Sequence, residues 1–296
     1  MSFSSEVKQE LCRVPLSRKC CAQAECYGVL LYCNTFSPRE IRVITESDPF
    51  AQRLPQLLRR AFRFSFDRLP DGEGKHIFAV EDPRKLSAVQ QLLGGDDRAP
   101  ALHINFGLLE EECCRASFLR GVFFAGGSVT DPAKRYHLEL ATSHLQVSRE
   151  LEVLLRECGY PPKSVARNGS FITYFKQSDQ IEDFLTLIGA PVAAMSVMSA
   201  KLEKDLRNSV NRRLNCDSAN LDKAVEAAQE QLESIRKLQR AGLLDQLPDK
   251  LQLTAALRLE NPELTLSELA EEFDPPVTKS CLNHRLRKIT QLAKGL

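Results

Sequence analysis

The stretch SFLRGVFFAGGSV, residues 117–129, is almost entirely apolar, with one glycine in its middle and two near its end. A glycine inside a helix costs about 1 kcal/mol relative to alanine, so it suits a place where another backbone comes close. The pattern predicts a buried helix that contacts a second helix at Gly121 and breaks at Gly126 and Gly127.

The partner of this helix is a matching segment near the start of the chain. The stretch AECYGVLLYCNTF places Gly28 where the later segment places Gly121, 93 residues further on. The elements that follow each glycine correspond at offsets of 93 to 96 residues. We therefore predict tandem α-β-α-β-β-α repeats over 1–95 and 96–190, paired through these two glycines.

The remaining elements of each repeat follow from local patterns. They are strands within 39–47 and 134–143, amphipathic helices at 48–62 and 144–159, hairpins that turn at 71–74 and 168–169, and last helices that end at 93–94 and 188–189. The start of the chain, MSFSSEVKQELCR, resembles a capped helix rather than a secretion signal.

After Pro191 the composition changes, because Phe273 is the only aromatic residue that remains. We predict a helical linker at 191–248 and three short helices near 249–260, 265–273 and 278–293, in a C-terminal domain at 249–296. The fold class is therefore α+β: tandem repeats followed by an all-α domain.

Composition limits the function classes. The net charge is +1, so any basic surface must be local. The chain has no run of about 18 apolar residues, which argues against a membrane-spanning helix. We expect a cytoplasmic, nucleoid-associated protein.

Ten cysteines raise the question of a metal or disulfides. Five of them lie in the first 33 residues, and Cys113 and Cys114 are adjacent. No two cysteines have the C-x2-C spacing typical of zinc sites, and nothing indicates an oxidising compartment. We interpret them as small apolar residues on helices, and predict neither a metal nor another cofactor.

The C-terminal domain carries clear helix signals. Thr265 and Glu268 form a capping-box pattern at the start of one helix. Asp274, before two prolines, marks its end, and Thr278 can cap the next helix.

The final helix has two faces. Leu282, Leu286, Ile289 and Ala293 recur at core spacing. Charge is also divided: residues 260–274 contain six acidic and no basic residues, whereas 277–296 contain five basic and no acidic ones. The outward and flanking positions hold Lys279, Ser280, Asn283, His284, Arg285, Arg287 and Lys288.

This pattern predicts a helix-turn-helix that inserts its last helix into the major groove of double-stranded DNA. Arg287, Asn283 and His284 are candidates for contacts to base edges. Candidates for phosphate contacts are Lys279, Ser280, Arg285 and Lys288. The alternative is a solvated basic helix end, favoured by the helix dipole.

A second basic segment, LRNSVNRRLNCDSAN at 206–220, contains Arg207, Arg212 and Arg213. It is either another DNA contact or a hinge that packs on the N-terminal half, with its arginines bonded to helix carbonyls. Both interpretations stay open at this stage.

The glycine helix resembles the defining motif of the LAGLIDADG homing endonucleases. The match in the second repeat covers Leu119, Gly121, Ala125 and Gly127. In those enzymes the acidic residue before the last glycine holds the divalent metal, but Gly126 stands there in one repeat and Cys33 in the other. The resemblance thus implies a nuclease scaffold without its metal ligands.

The whole chain resembles the WhiA family of bacterial regulators. The stretches that carry this resemblance are FLRGVFFAGGSVTDP at 118–132, NSVNRRLNCDSANLDK at 208–223 and LRLENPELTLSELAEEFDPPVTKSCLNHRLRKI at 257–289. It implies a DNA-binding, non-enzymatic regulator of cell division and chromosome segregation, and of sporulation where spores form.

Two other functions compete with this one. A residual metal-dependent endonuclease would need acidic ligands, and Glu25 and Asp131 are near the motifs but off register. A protein-interaction scaffold would use the repeats to bind another transcription factor. The sequence does not define the oligomeric state.

Overall fold

The computed structural model describes residues 2–70, 74–93 and 102–295. The chain divides into two compact units, residues 1–204 and 205–296. The first unit contains both repeats, and the second contains the C-terminal helices. In the described part of the chain, no helix is long and apolar enough to cross a membrane.

The first unit opens with α1 (Phe3–Leu11), which is capped by the Ser2 hydroxyl accepting from the Ser5 amide. The first repeat consists of α2 (Lys19–Tyr32), β1 (Thr35–Phe36), β2 (Ile41–Thr45), α3 (Asp48–Phe62), β3 (His76–Val80) and α4 (Pro83–Leu93). The second consists of α5 (Glu112–Gly126), β4 (Gly127–Val129), β5 (Leu138–Thr142), α6 (Leu145–Glu157), β6 (Lys163–Arg167), β7 (Ser170–Phe175) and α7 (Ser178–Ile188). The mixed α+β class is confirmed.

Each repeat contains one short strand that was not predicted, β1 in the first and β4 in the second. β1 and β4 directly follow the glycine-bearing helices, and they pair antiparallel with β2 and β5. Strands of two or three residues are too short to show the alternation on which the prediction relied. The two sheets have the orders β1-β2-β3 and β4-β5-β7-β6.

The two predicted hairpins differ in outcome. In the second repeat, Asn168 and Gly169 both have positive φ, at 49° and 76°, as a type I′ turn requires. Among the described residues of the first-repeat hairpin, only β3 is a regular strand, and its partner segment contributes a single bridge, Arg68 to Ala79. The predicted turn at 71–74 lies mostly outside the described residues, as does Gly94 after the predicted helix end.

The two repeats meet where α2 and α5 cross at Gly28 and Gly121. A Cβ atom added to Gly28 would lie 2.2 Å from the Phe118 carbonyl oxygen, and one added to Gly121 would lie 2.0 Å from that of Glu25. Backbones this close exclude any side chain, which confirms the predicted contact. The helices therefore form the centre of the apolar core of the first unit.

The basic segment at 206–220 does not interrupt the predicted helical linker, because α8 (Pro191–Arg240) is one continuous helix of 50 residues. This segment contains neither glycine nor proline, and its asparagine and serine residues each weaken a helix only slightly. All side chains from 205 to 227 are exposed.

The second unit contains α9 (Asp249–Glu260), α10 (Leu266–Glu271) and α11 (Lys279–Lys294), which agree with the three predicted short helices. The last turns of α8 join them, because Ile235 and Leu238 belong to the same core. The other buried members of this core are Leu251, Ala255, Leu269, Ala270, Phe273, Leu282, Leu286, Ile289 and Ala293.

Candidate nucleic-acid interface and nuclease remnant

α10 starts at the predicted capping box. The Thr265 hydroxyl accepts from the Glu268 amide at 3.3 Å, and the Glu268 carboxylate accepts from the Thr265 amide at 2.8 Å. The amide hydrogen bond lowers the pKa of Glu268. This reciprocal pair fixes the first turn of α10, whose Leu269 and Ala270 enter the core.

α11 is oriented by its cap and its apolar side. The Thr278 hydroxyl accepts from the Cys281 amide at 3.2 Å. Leu282, Leu286 and Ile289 are fully buried or nearly so, and Ala293 is also buried. The predicted core face is therefore confirmed, and the opposite side of α11 is left free of packing.

That opposite side presents most of the candidate DNA-contacting residues together. Steps of about 100° per residue place Ser280, His284 and Arg287 near the middle of the outward face. Asn283 is half-buried at one margin of this face, and the other side chains are exposed. The exposed candidates on α11 are Lys279, Ser280, His284, Arg287 and Lys288.

Arg285 occupies a different position. Its guanidinium carbon lies 5.5 Å from the centroid of the Phe273 ring, so it packs over the aromatic face next to α10. The sequence pattern groups it with the phosphate contacts, but it is half-buried. A contact that depends on Phe273, twelve residues away, leaves no local signal in the sequence.

The arginines of the basic segment are exposed but do not share a face. In α8, Arg212 and Arg213 lie about 140° and 240° around the helix from Arg207. A straight DNA backbone that runs beside α8 could therefore contact only one of these three arginines at a time. The hinge interpretation is not supported either, because the segment is helical and none of the three has a described hydrogen bond to a helix carbonyl.

The first unit retains the scaffold of a nuclease centre but not its ligands. A Cβ atom at Gly126 would lie 2.4 Å from the Ala141 carbonyl oxygen and 2.6 Å from a ring carbon of Tyr32. Cys33, at the equivalent place, donates to the carbonyls of Leu30 and Thr35, and burial raises the pKa of its thiol to about 12. Neither position can offer an oxygen ligand to Mg2+.

The nearby acidic residues serve structural roles. Glu25 is fully buried, and its carboxylate accepts from Arg53 at 2.7 and 2.9 Å and from Arg120 at 3.0 Å. Arg120 also donates to the Ile188 carbonyl at 2.6 Å. The Asp131 carboxylate accepts from the Ala133 amide at 2.9 Å within a turn.

A cleft of about 810 Å³ opens beside the C-terminal ends of the paired helices. The Lys8 ammonium stands there, donating to the Phe124 carbonyl at 3.0 Å, and burial lowers its pKa. The two acidic residues in the described lining of the cleft, Glu46 and Asp48, are 3.4 Å from Lys75 and 2.7 Å from His76. Because the Lys8 ammonium already lies at the C-terminal ends of the paired helices, the site does not fit the divalent metal of the endonucleases.

Comparison with known proteins agrees with this architecture. Residues 115–207 match the family model described as the WhiA LAGLIDADG-like domain, and residues 210–293 match the WhiA C-terminal HTH domain. A solved structure of full-length DUF199/WhiA from Thermatoga maritima shares the fold, with a TM-score of 0.62, 23% identity and coverage of 100% of this chain and 99% of that one.

Curated relatives align over the full chain. One from Ruminiclostridium cellulolyticum, named probable cell division protein WhiA, is 37% identical and covers 100% of this chain and 98% of its own length. Another of that name, from Heliobacterium modesticaldum, is 36% identical, with 100% and 97% covered.

Fold and sites together define a class of protein in which a degenerate homing-endonuclease scaffold precedes a helix-turn-helix unit. Within that class, the chain belongs to the WhiA family.

Proposed function

We propose that this protein is a sequence-specific DNA-binding regulator that acts in cell division and chromosome segregation, and in sporulation where its host forms spores. The observation that carries the proposal is the outward face of α11, where Ser280, His284, Arg287 and Lys288 are exposed together on a rigidly packed helix. Such a face matches the reading helix of a helix-turn-helix.

Electrostatics support a defined orientation on DNA. The exposed Glu271 ends α10, and the exposed Glu272 and Asp274 follow it, whereas α11 carries the basic residues. A phosphate backbone is attracted to one side of the unit and repelled from the other, which favours insertion of α11 into the groove. Lys294 is held at 2.8 Å from Glu230 of α8, so it is less available for phosphate.

The role in cell division rests on the relatives, which carry the name probable cell division protein. We also propose that the protein is not an enzyme, since Gly126 and Cys33 replace the acidic metal ligands of the endonucleases. Binding of another transcription factor by the repeats is compatible with this function and has no separate observation in its favour.

Chromosome-wide occupancy mapping in the native host tests the proposal. We expect the full chain to occupy discrete sites upstream of genes, and an Arg287→Ala/Lys288→Ala double variant at equal abundance to lose them. Occupancy unchanged in the double variant would reject α11 as the contact. Broad occupancy without a shared sequence would reject sequence specificity.

A further inference from the structure

We propose that four cysteines bind a single Zn2+ ion that fastens the two repeats together at the N-terminal ends of their central helices. The ligands are Cys20, Cys21, Cys113 and Cys114. This metal site is separate from the DNA-binding helix and from the nuclease remnant, which lies at the C-terminal ends of the same helices.

The distances fit one tetrahedral ion. All four sulfur atoms lie within 4.8 Å of one another, and those of Cys20 and Cys21 are 4.0 Å apart. Four thiolates at about 2.3 Å from Zn2+ are separated from one another by about 3.8 Å. Contraction by less than about 1 Å would therefore complete the site.

The two cysteine pairs are related by the internal repeat. Cys20 and Cys21 are the second and third residues of α2, and Cys113 and Cys114 are the second and third residues of α5. Cys21 precedes Gly28, and Cys114 precedes Gly121, by the same seven residues. The helices are paired through these glycines, and the sulfur distances show that their first turns are still close enough to bring the cysteine pairs together.

The helix ends favour the ionised thiolates that zinc requires. The capping positions of α2 and α5, Arg18 and Glu111, make no side-chain hydrogen bond to the first turn. The positive ends of the two helix dipoles therefore lie next to the four cysteines, which are in the first turns of α2 and α5. The Arg18 guanidinium adds a full charge, with Nη1 3.7 Å from the Cys113 sulfur.

The ligand set points to a structural zinc site. With four thiolates the coordination sphere is complete and leaves no position for water or substrate. In iron–sulfur clusters the four thiolates are distributed over two or four irons, whereas these four sulfur atoms surround one point. A disulfide needs a sulfur–sulfur distance of about 2.05 Å, and all four thiols are free. Cys20 is exposed, so an ion can enter from solvent.

The test is metal analysis of the full chain, purified without a metal-affinity tag under reducing, anaerobic conditions. We expect about one zinc per chain, and after exchange with Co2+ the charge-transfer and d–d absorption of a tetrahedral four-thiolate site. Cys20→Ser/Cys113→Ser should lower the bound zinc at least tenfold. The matched control, Cys216→Ser/Cys281→Ser, replaces two exposed cysteines of the second unit and should keep it.

Folding of the variants is followed separately. All five tyrosines lie in the first unit, at or before residue 174, so near-UV circular dichroism reports on that unit. The cobalt spectrum of the unmodified chain tests the site even if the double variant misfolds. Absence of zinc and of a cobalt spectrum, iron with acid-labile sulfide, or a loss of free thiols to disulfides would each overturn the proposal.

Discussion

Gly121 has no room for even a methyl group. In a Gly121→Ala variant the new Cβ atom would begin 2.0 Å from the Glu25 carbonyl oxygen, so α2 and α5 must separate. We expect destabilisation by about 1–3 kcal/mol or more, as for other overpacked cores. Thermal unfolding followed by far-UV circular dichroism, which reports on the helices of both units, measures the loss, and the near-UV signal of the tyrosines assigns it to the first unit.

Gly295→Ala is the matched control for that variant. Gly295 ends α11 with φ at −85°, and its added Cβ atom would meet nothing closer than the Leu292 carbonyl oxygen at 3.5 Å. The control should unfold like the parent. An equal, small effect of both substitutions would mean that the helix crossing is not tightly constrained.

Glu25 is the second residue on which the contact between the repeats depends. Glu25→Gln would leave Arg53 and Arg120 buried without a compensating charge. Breaking a buried ion pair on one side costs about 3–5 kcal/mol, so we expect a loss of this size in urea unfolding at pH 7.

The control for Glu25 is the surface pair between the half-buried Glu40 and the exposed Arg42, whose charged atoms are 3.7 Å apart. Glu40→Gln should cost less than about 1 kcal/mol. If Glu25→Gln were as mild, the buried network would not be what holds α2, α3 and α5 together.

At the scale of elements, contacts of α11 to bases and contacts to phosphates lead to two separate predictions about DNA binding. Arg287→Ala removes no core contact, and it should weaken binding to the cognate site by about 1–3 kcal/mol while affecting other DNA less. Lys288→Ala should weaken binding to all DNA and reduce the salt slope by about one unit, since one phosphate contact is lost.

Binding to a cognate and a scrambled duplex across a salt series measures both effects, and circular dichroism checks folding. The comparison is a variant of α8 with Arg207, Arg212 and Arg213 all replaced by alanine. Because these arginines point in three directions, we expect it to change affinity less than Lys288→Ala does. A larger loss of affinity in the α8 variant would indicate that α8, rather than Lys288 of α11, makes the phosphate contact.

Elements whose signals are local could be predicted from the sequence. The caps at Thr265 and Thr278 and the two faces of α11 depend on residues a turn or two apart. The continuity of α8 through 206–220 could not, because polar residues with modest helix propensity leave both a helix and a break possible. The strands β1 and β4 were too short to leave a pattern.

At the scale of the whole molecule, sequence reasoning failed where contacts join distant segments. The packing of Arg285 on Phe273 depends on the turn between two helices. The four cysteines formed no recognisable ligand spacing because each pair belongs to a different repeat. Each pair precedes its glycine, Gly28 or Gly121, by the same number of residues. This spacing predicts that the pairs lie together only once the two glycines are known to be in contact.

The inherited nuclease scaffold leads to the last prediction, that the full chain does not cleave DNA. Gly126 and Cys33 offer no carboxylate, Glu25 is neutralised by two arginines, and the Lys8 ammonium stands beside the ends of the helices. We expect no cleavage of supercoiled plasmid with Mg2+ or Mn2+, because two-metal hydrolysis has no ligands here.

The control for that assay uses the carboxylates of the cleft, since replacing Glu25 would destabilise the fold rather than inactivate a site. Any cleavage is compared with that of a Glu46→Gln/Asp48→Asn variant, whose side chains are exposed and whose fold should persist. Cleavage that disappears in this variant would establish a residual enzyme. Equal cleavage by both preparations would identify a contaminating nuclease, because no other carboxylates line the described part of this cleft.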